Sequence, residues 1–160
     1  MQTISNEIRQ FVTEEPTFPR GKWFALNEGV GHVYLRRETK WVEGSRKSFI
    51  TIANIMIERK HRGKRLFSSF VQELQELIKS TNYNGLYAEC VYNNILQDYF
   101  VRHGWKPDHK YYDEINVVEP NYWISNPSTT VEKSRDDLQT NRESQQVSVQ
   151  DSLQEVGGPK

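Results

Sequence analysis

The sequence is poor in cysteine: Cys90 is the single one among 160 residues. No intrachain disulfide is possible, which fits a reducing intracellular compartment, so a cytoplasmic location is expected. Long apolar runs are also missing, and none approaches the roughly 18–20 residues that a membrane helix needs. The opening MQTISNEIRQ lacks the basic-then-apolar pattern of a secretory signal. There is no excess of charge of either sign, since 21 Lys and Arg balance 21 Asp and Glu. That excludes a globally basic nucleic-acid binder but allows a local basic patch. His32, His61, His103 and His109 lack metal-ligand spacing, and no second cysteine joins Cys90, so no metal is expected. Cys90 itself reads as a core residue in a buried strand.

Aromatic residues are absent from one stretch only. Residues 126–160 contain none, and only six of these 35 positions are Val or Leu. Such a segment cannot bury enough apolar surface to offset the entropy of ordering it, so a disordered tail of net charge −2 is expected. Residues 1–125 then hold all 19 aromatics and a net charge of +2. That length supports one core.

What is present in this part alternates between two periods. Ile4, Ile8, Phe11 and Val12 mark one face of a short helix capped by Ser5 and ended by Pro16 and Pro19. Short strands are expected at Trp23–Leu26 and His32–Arg37. The run FITIANIMI within 48–58 is apolar on both faces and reads as a central strand. Leu66, Phe67, Phe70, Val71, Leu74, Leu77 and Ile78 follow the helical period. A strand at Leu86–Tyr92 and a helix ending at His103–Gly104 come next. Final strands are read at Tyr111–Val118 and Tyr122–Ile124. Strand–helix–strand units call for parallel pairing and the early hairpin for antiparallel pairing. The expected fold class is therefore α/β, a mixed sheet flanked by helices.

The richest chemistry lies at residues 55–67, IMIERKHRGKRLF. A buried strand ends, a basic glycine-containing loop follows, and an amphipathic helix begins near Lys64. A helix start presents unpaired N–H groups and the positive end of its dipole, and Gly63 allows close backbone approach. Arg59, Lys60, Arg62, Lys64 and Arg65 add five cations. Two readings follow: a phosphate site, or a solvated basic turn. Neither GxxxxGK[ST] nor GxGxxG is present, so this is neither a P-loop nor a dinucleotide fingerprint.

From Arg62 onward this run resembles the coenzyme A pyrophosphate loop of the GNAT (N-acetyltransferase) superfamily, whose core pattern is Arg/Gln-x-x-Gly-x-Gly/Ala. Gly63 and Lys64 stand in their usual places. Arg65 replaces a usual glycine, and Phe67 a glycine or alanine. Downstream, LYAECVYN (86–93) and ILQDYFVRHGW (95–105) resemble the family's next strand, its asparagine and the helix ending in Tyr-x-x-x-Gly-Phe. The resemblance covers roughly residues 22–125 and identifies an atypical member, with one short N-terminal helix in place of the usual pair.

The resemblance implies splayed central strands with the acetyl-CoA pantetheine arm in the gap. Backbone groups of Ile55 and Ile57 would pair with that arm. Amides of Arg62, Gly63, Lys64, Arg65, Leu66 and Phe67 would receive the pyrophosphate. Asn93 would contact the cofactor or cap a helix. An amine would attack the thioester directly in a ternary complex. Glu89 is the candidate base, or an edge carboxylate or one ion-paired with Arg59 or Arg102, with Glu58 a second choice. The family's usual acid position holds Phe100, and the neighbouring Tyr99 is the remaining candidate donor. Trp23, Trp41, Trp105 and Trp123 either line an acceptor groove or pack at the core and rim. The loop Lys106–Lys110 and Tyr111–Tyr112 fall where the family places acceptor contacts.

The expected activity is therefore transfer of an acetyl group from acetyl-CoA to an amine on a small molecule, a protein or a modified base, with no membrane partner. Two readings compete with it: an acyl-CoA- or partner-binding protein without turnover, and a nucleic-acid-associated protein that modifies an amine.

Overall fold

The computed structural model describes residues 2–14 and 20–129. The folded unit is Met1–Asn126; the expected tail lies almost wholly outside the described residues, as do Pro16 and Pro19.

Each element has a local cause. Helix α1, Asn6–Thr13, is capped by Ser5, whose hydroxyl accepts from the Ile8 N–H at 3.3 Å. It buries Ile8, Phe11 and Val12. Strand β1 (Gly21–Ala25) leads to a long hairpin, β2 (Gly31–Val42) and β3 (Ser45–Ile57). Its turn residues Glu43 and Gly44 both have positive φ, 49° and 72°, the backbone that a right-twisted two-residue turn demands. Helix α2 (Leu66–Ile78) carries β3 over to β4 (Gly85–Ala88), and the two strands pair in parallel. Helix α3 (Asn94–Arg102) follows, then β5 (Lys106–Pro107), β6 (Lys110–Tyr112), β7 (Val117–Glu119) and β8 (Tyr122–Ser125).

The sheet order is β1-β2-β3-β4-β8-β5, with β6 and β7 forming a separate two-stranded ribbon. This is the mixed α/β sheet expected, with three differences. The strand read at Leu86–Tyr92 stops at Ala88. The run read as one strand at Tyr111–Val118 folds back on itself as β6 and β7. Cys90, read as core, is exposed, because it lies beyond the strand end with φ 54°.

The sheet separates two cores. On one face Val33, Leu35, Ile50, Ile52 and Leu86 pack with Phe70, Val71 and Leu74 of α2 and with Ile8 and Phe11 of α1. On the other, Val42, Phe49, Tyr87 and Trp123 form a small cluster. Glu73 of α2 fastens the N-terminus by accepting from the Thr3 N–H (2.7 Å) and Ile4 N–H (3.1 Å). At the far end Asn126 is fully buried, and its amide donates to the Ile78 and Tyr83 carbonyls at 2.8 and 2.9 Å. Among the described residues, no helix is long and apolar enough to cross a membrane.

Candidate functional site

The parallel pair β3–β4 runs from Phe49–Gly85 to Ile52–Ala88 and then opens. The last bond across it is from the Glu89 N–H to Ile52 O, 3.2 Å. Beyond that, the chain after β4 is held by the turn before β8. The Cys90 N–H donates to Asn121 Oδ1 (3.0 Å), and the Val91 N–H to Pro120 O (2.8 Å). Since β8 lies on the side of β4 away from β3, these bonds draw residues 90–91 away from β3. Strand β3 continues to Ile57 with β2 as its partner. The result is a cleft of about 290 Å³ through the sheet. Ala53, Asn54 and Ile55 form one wall, Glu89–Asn93 the other, and Phe67, Leu96 and Phe100 close its inner end.

A bulge sets what β3 presents to this cleft. Tyr34 pairs with Asn54 but Leu35 with Ile52, so Ala53 is extra. Side chains alternate faces along a strand, and one inserted residue reverses the alternation. Ile50 and Ile52 therefore face the helices before the bulge, and Ile55 and Ile57 face them after it. Asn54 and Met56 are exposed on the opposite face. The backbone is re-aimed as well. The Glu58 N–H donates to Val30 O at 3.0 Å. By the two-residue alternation of an antiparallel ladder, Met56 and Asn54 bond toward β2, and Ile55 and Ile57 direct their N–H and C=O groups into the gap.

The basic loop follows the end of β3 and leads to Phe67, which lines the cleft. A short turn at Arg59–His61 leads to Gly63, φ 76°, and to Arg65, φ 58°. Arg65 thus adopts the left-handed backbone for which glycine is the usual residue, and the loop keeps that shape at a cost of roughly 1 kcal/mol. Arg65 is also the residue before α2, which has no side-chain cap, whereas α1 and α3 are capped by Ser5 and Asn93. The first ladder bond of α2 is Ser69 N–H to Arg65 O, so the amides of Leu66, Phe67 and Ser68 point out of the helix start. Arg59, Lys60, Arg62, Lys64 and Arg65 are all exposed around it. Arg62 Nε donates to Ile57 O at 3.0 Å, tying the loop to the end of β3. An open strand edge that leads to an uncapped helix start fits a ligand with an amide-bearing arm and an anionic diphosphate.

The other expected residues divide. Asn93 stands in the cleft wall, and its Oδ1 caps α3 by accepting from the Ile95 and Leu96 N–H groups (2.9 and 3.3 Å). Tyr99 is not among the residues lining the cleft. Its ring packs edge-on to Phe67 and stacks on His103, and burial raises its hydroxyl above the usual phenol range. Phe100 occupies the cleft position instead. Cys90 lines the cleft, where desolvation, with the charge of Glu119 adding to it, pushes its thiol up.

Glu89 is in the cleft wall, and its carboxylate is paired on both oxygens: Oε1 with Lys40 and Oε2 with Arg36. Glu38 bridges the same two cations at 3.2 and 2.9 Å. These partners, and not Arg59 or Arg102, hold Glu89, because β2 is the strand that brings cations to this face. The one available signal was the alternation of charged residues at positions 36, 38 and 40, which places all three on one face of β2. Among the described residues, no group of three His, Cys, Asp or Glu side chains comes together to hold a metal.

No protein-family model matches the sequence, and no curated protein matches it. Solved structures do match. A mutant AtaT toxin bound to acetyl-CoA and the C-terminus of the antitoxin AtaR superposes with a TM-score of 0.52 at 15% identity, covering 79% of this chain and 78% of that one. The chain has the fold of the GNAT acetyltransferases. Mutant forms of the spermidine/spermine N-acetyltransferase SpeG from Vibrio cholerae share this GNAT fold with a TM-score of 0.50 at 14% identity, over 71% of this chain and 72% of that one. At such identities the likeness is one of fold, and function rests on the site.

Proposed function

We propose that the chain is an acetyl-CoA-dependent N-acetyltransferase that joins its two substrates in one ternary complex. The observation that carries this is the gap between β3 and β4, with the free backbone edge at Ile55 and Ile57 on one side and the uncapped start of α2 at its end. Apart from the Ile57 carbonyl, which accepts from Arg62 Nε at 3.0 Å, both features present strong hydrogen-bonding groups toward the gap, and both match parts of one cofactor. The AtaT structure with this fold holds acetyl-CoA.

Each residue then has a task. Ile55 and Ile57 hold the pantetheine arm as an added strand. The Arg62 N–H, expected in this role, donates to Arg59 O at 3.3 Å, so the amides of Gly63–Phe67 and the surrounding cations, the Arg62 side chain included, hold the pyrophosphate. The Asn93 amide reaches the arm from the far wall, while its oxygen stays with the helix cap. Acetyl-CoA would supply an acyl thioester, from which the amine nitrogen gains a C–N bond as the C–S bond breaks; coenzyme A leaves as the thiolate and takes up, through water, the proton that the nitrogen sheds on becoming an amide. An ammonium has no lone pair, so the acceptor must first lose a proton, and Glu89 is the carboxylate in the cleft wall to take it. With both oxygens ion-paired, Glu89 accepts that proton through a bridging water or after one pair opens. Phe100 and Phe67 exclude water from the inner end of the cleft. Tyr99, outside the cleft, supports Phe67 by packing.

The test has two parts. Acetyl-CoA at saturation should raise the melting temperature by mass action, since it adds about 2.7 kcal/mol of stability at a hundred times its Kd. Mass spectrometry of an amine library incubated with protein and labelled acetyl-CoA should then show an acetylated product. No thermal shift would refute the cofactor assignment. One observation favours a second reading, binding without turnover: both Glu89 oxygens are engaged and Phe100 stands at the donor position. A thermal shift with no acetylated product would favour it.

A further inference from the structure

The sheet face opposite the helices carries an aromatic strip that the cofactor site does not use. Trp23 pairs directly with Tyr34, and Tyr34 with Asn54. Directly paired residues on neighbouring strands project to the same side, so the three form one row. The Trp23 and Tyr34 rings lie 5.4 Å apart, and Trp23 is 46% exposed. Asn54 belongs both to this row and to the wall of the cleft, so the strip runs without a break into the gap between β3 and β4. Among the described residues no helix covers it, because α1 and α2 pack on the other face.

Two details show that the platform is shaped. Gly21 sits beside it, and a Cβ there would stand 2.8 Å from Tyr34 Oη and 2.6 Å from Arg36 Cγ. The missing side chain therefore lets the Tyr34 ring lie toward Arg36. Arg36 is two residues along the same face of β2 and begins the charged group of Arg36, Glu38, Lys40 and Glu89. A molecule on this face thus meets flat aromatic surface at one end and, at the other, two carboxylates that are each paired with Arg36 and Lys40.

We propose that the acceptor is an amine carried on a planar aromatic group, whose ring stacks on Trp23 and Tyr34 while its nitrogen reaches the cleft past Asn54. This rests on the acetyltransferase reading and adds the substrate class to it. The scale fits, since Tyr34 lies one strand from Asn54, about 5 Å, which a short linker between ring and amine spans. Stacking on exposed aromatic side chains is strong enough to favour an aromatic amine over an aliphatic one by about tenfold.

Binding of tryptamine, tyramine and hexylamine to the full chain, with coenzyme A present, tests this by calorimetry and acetylation kinetics. The aromatic amines should bind about tenfold more tightly than hexylamine. Trp23→Leu and Tyr34→Leu should abolish that preference by raising KM for the aromatic amines, with kcat held. Trp41→Leu, which removes another exposed tryptophan, should leave the preference intact. Equal binding of the three amines, or a preference that survives both platform substitutions, overturns the proposal. The thermal shift with acetyl-CoA, measured on the same samples, judges the acetyltransferase reading separately. A shift without aromatic preference sinks the platform alone, and an aromatic preference without a shift sinks the cofactor assignment.

Discussion

Arg65 offers the sharpest test of how the cofactor loop is built. Its φ of 58° is left-handed, which for a residue with a Cβ costs roughly 1–2 kcal/mol. Glycine removes that cost and adds about 0.4–1 kcal/mol of unfolded-chain entropy to be lost on folding. Glycine is also a better residue than alanine before a helix start. Arg65→Gly should therefore be more stable than Arg65→Ala by about 1 kcal/mol, or roughly 4 °C in melting temperature for a domain of this size. Both variants lose the same exposed charge, so their difference isolates the backbone. Urea denaturation and thermal melts of the two, side by side, measure it. The cost to acetyl-CoA affinity should be less than about fivefold in either variant, because a single exposed ion pair is worth at most about 1 kcal/mol. If the alanine variant is as stable as the glycine variant, the loop does not hold this residue in a strained conformation, and the account of the loop is wrong.

The remaining expectations are more local. Glu89→Gln should keep the fold and the acetyl-CoA thermal shift but lower kcat by at least about a hundredfold, the contribution typical of a general base; unchanged turnover would remove Glu89 from the mechanism. Asn93→Ala should cost about 1 kcal/mol in denaturant stability through loss of the α3 cap. Cys90 is exposed yet its thiol is pushed up from the ordinary value, and the thiolate is the reacting form. Its alkylation should therefore be slow at pH 7, should keep rising beyond pH 9, and should be slowed further by acetyl-CoA in the cleft. Asn126→Ala should cost roughly 1–3 kcal/mol by leaving buried carbonyls unpaired, whereas a change at an exposed neighbour should cost almost nothing.

The helices and the central strand were legible because their signals are local. The apolar stripe of α2 recurs at the helical period and burial follows it, and the contiguous apolar run of β3 marks a strand buried on both faces over Phe49–Ile52. The basic loop was legible for the same reason, since its cations and Gly63 are contiguous in the sequence. The early end of β4 was not. Cys90 and Val91 read as a continuing strand, and what stops them is Asn121 and Pro120, some thirty residues away. Nor did the sequence show that Glu89 would meet Arg36 and Lys40, because that depends on which β2 residues the sheet brings opposite it. The bulge at Ala53 is a further case: a single extra residue that no pattern of hydrophobicity marks.

The opening scarcities keep their meaning. One cysteine and a balanced charge still exclude a disulfide scaffold and a generally basic surface, and that much was settled by composition alone. The sequence also determined where the main helices and the central strand would lie and where cations would gather, since these depend on neighbours along the chain. The tertiary structure decided where the sheet opens, which backbone groups face the gap, and which side chains share its two faces. Those depend on register between distant strands, and register is fixed only when the whole sheet has formed.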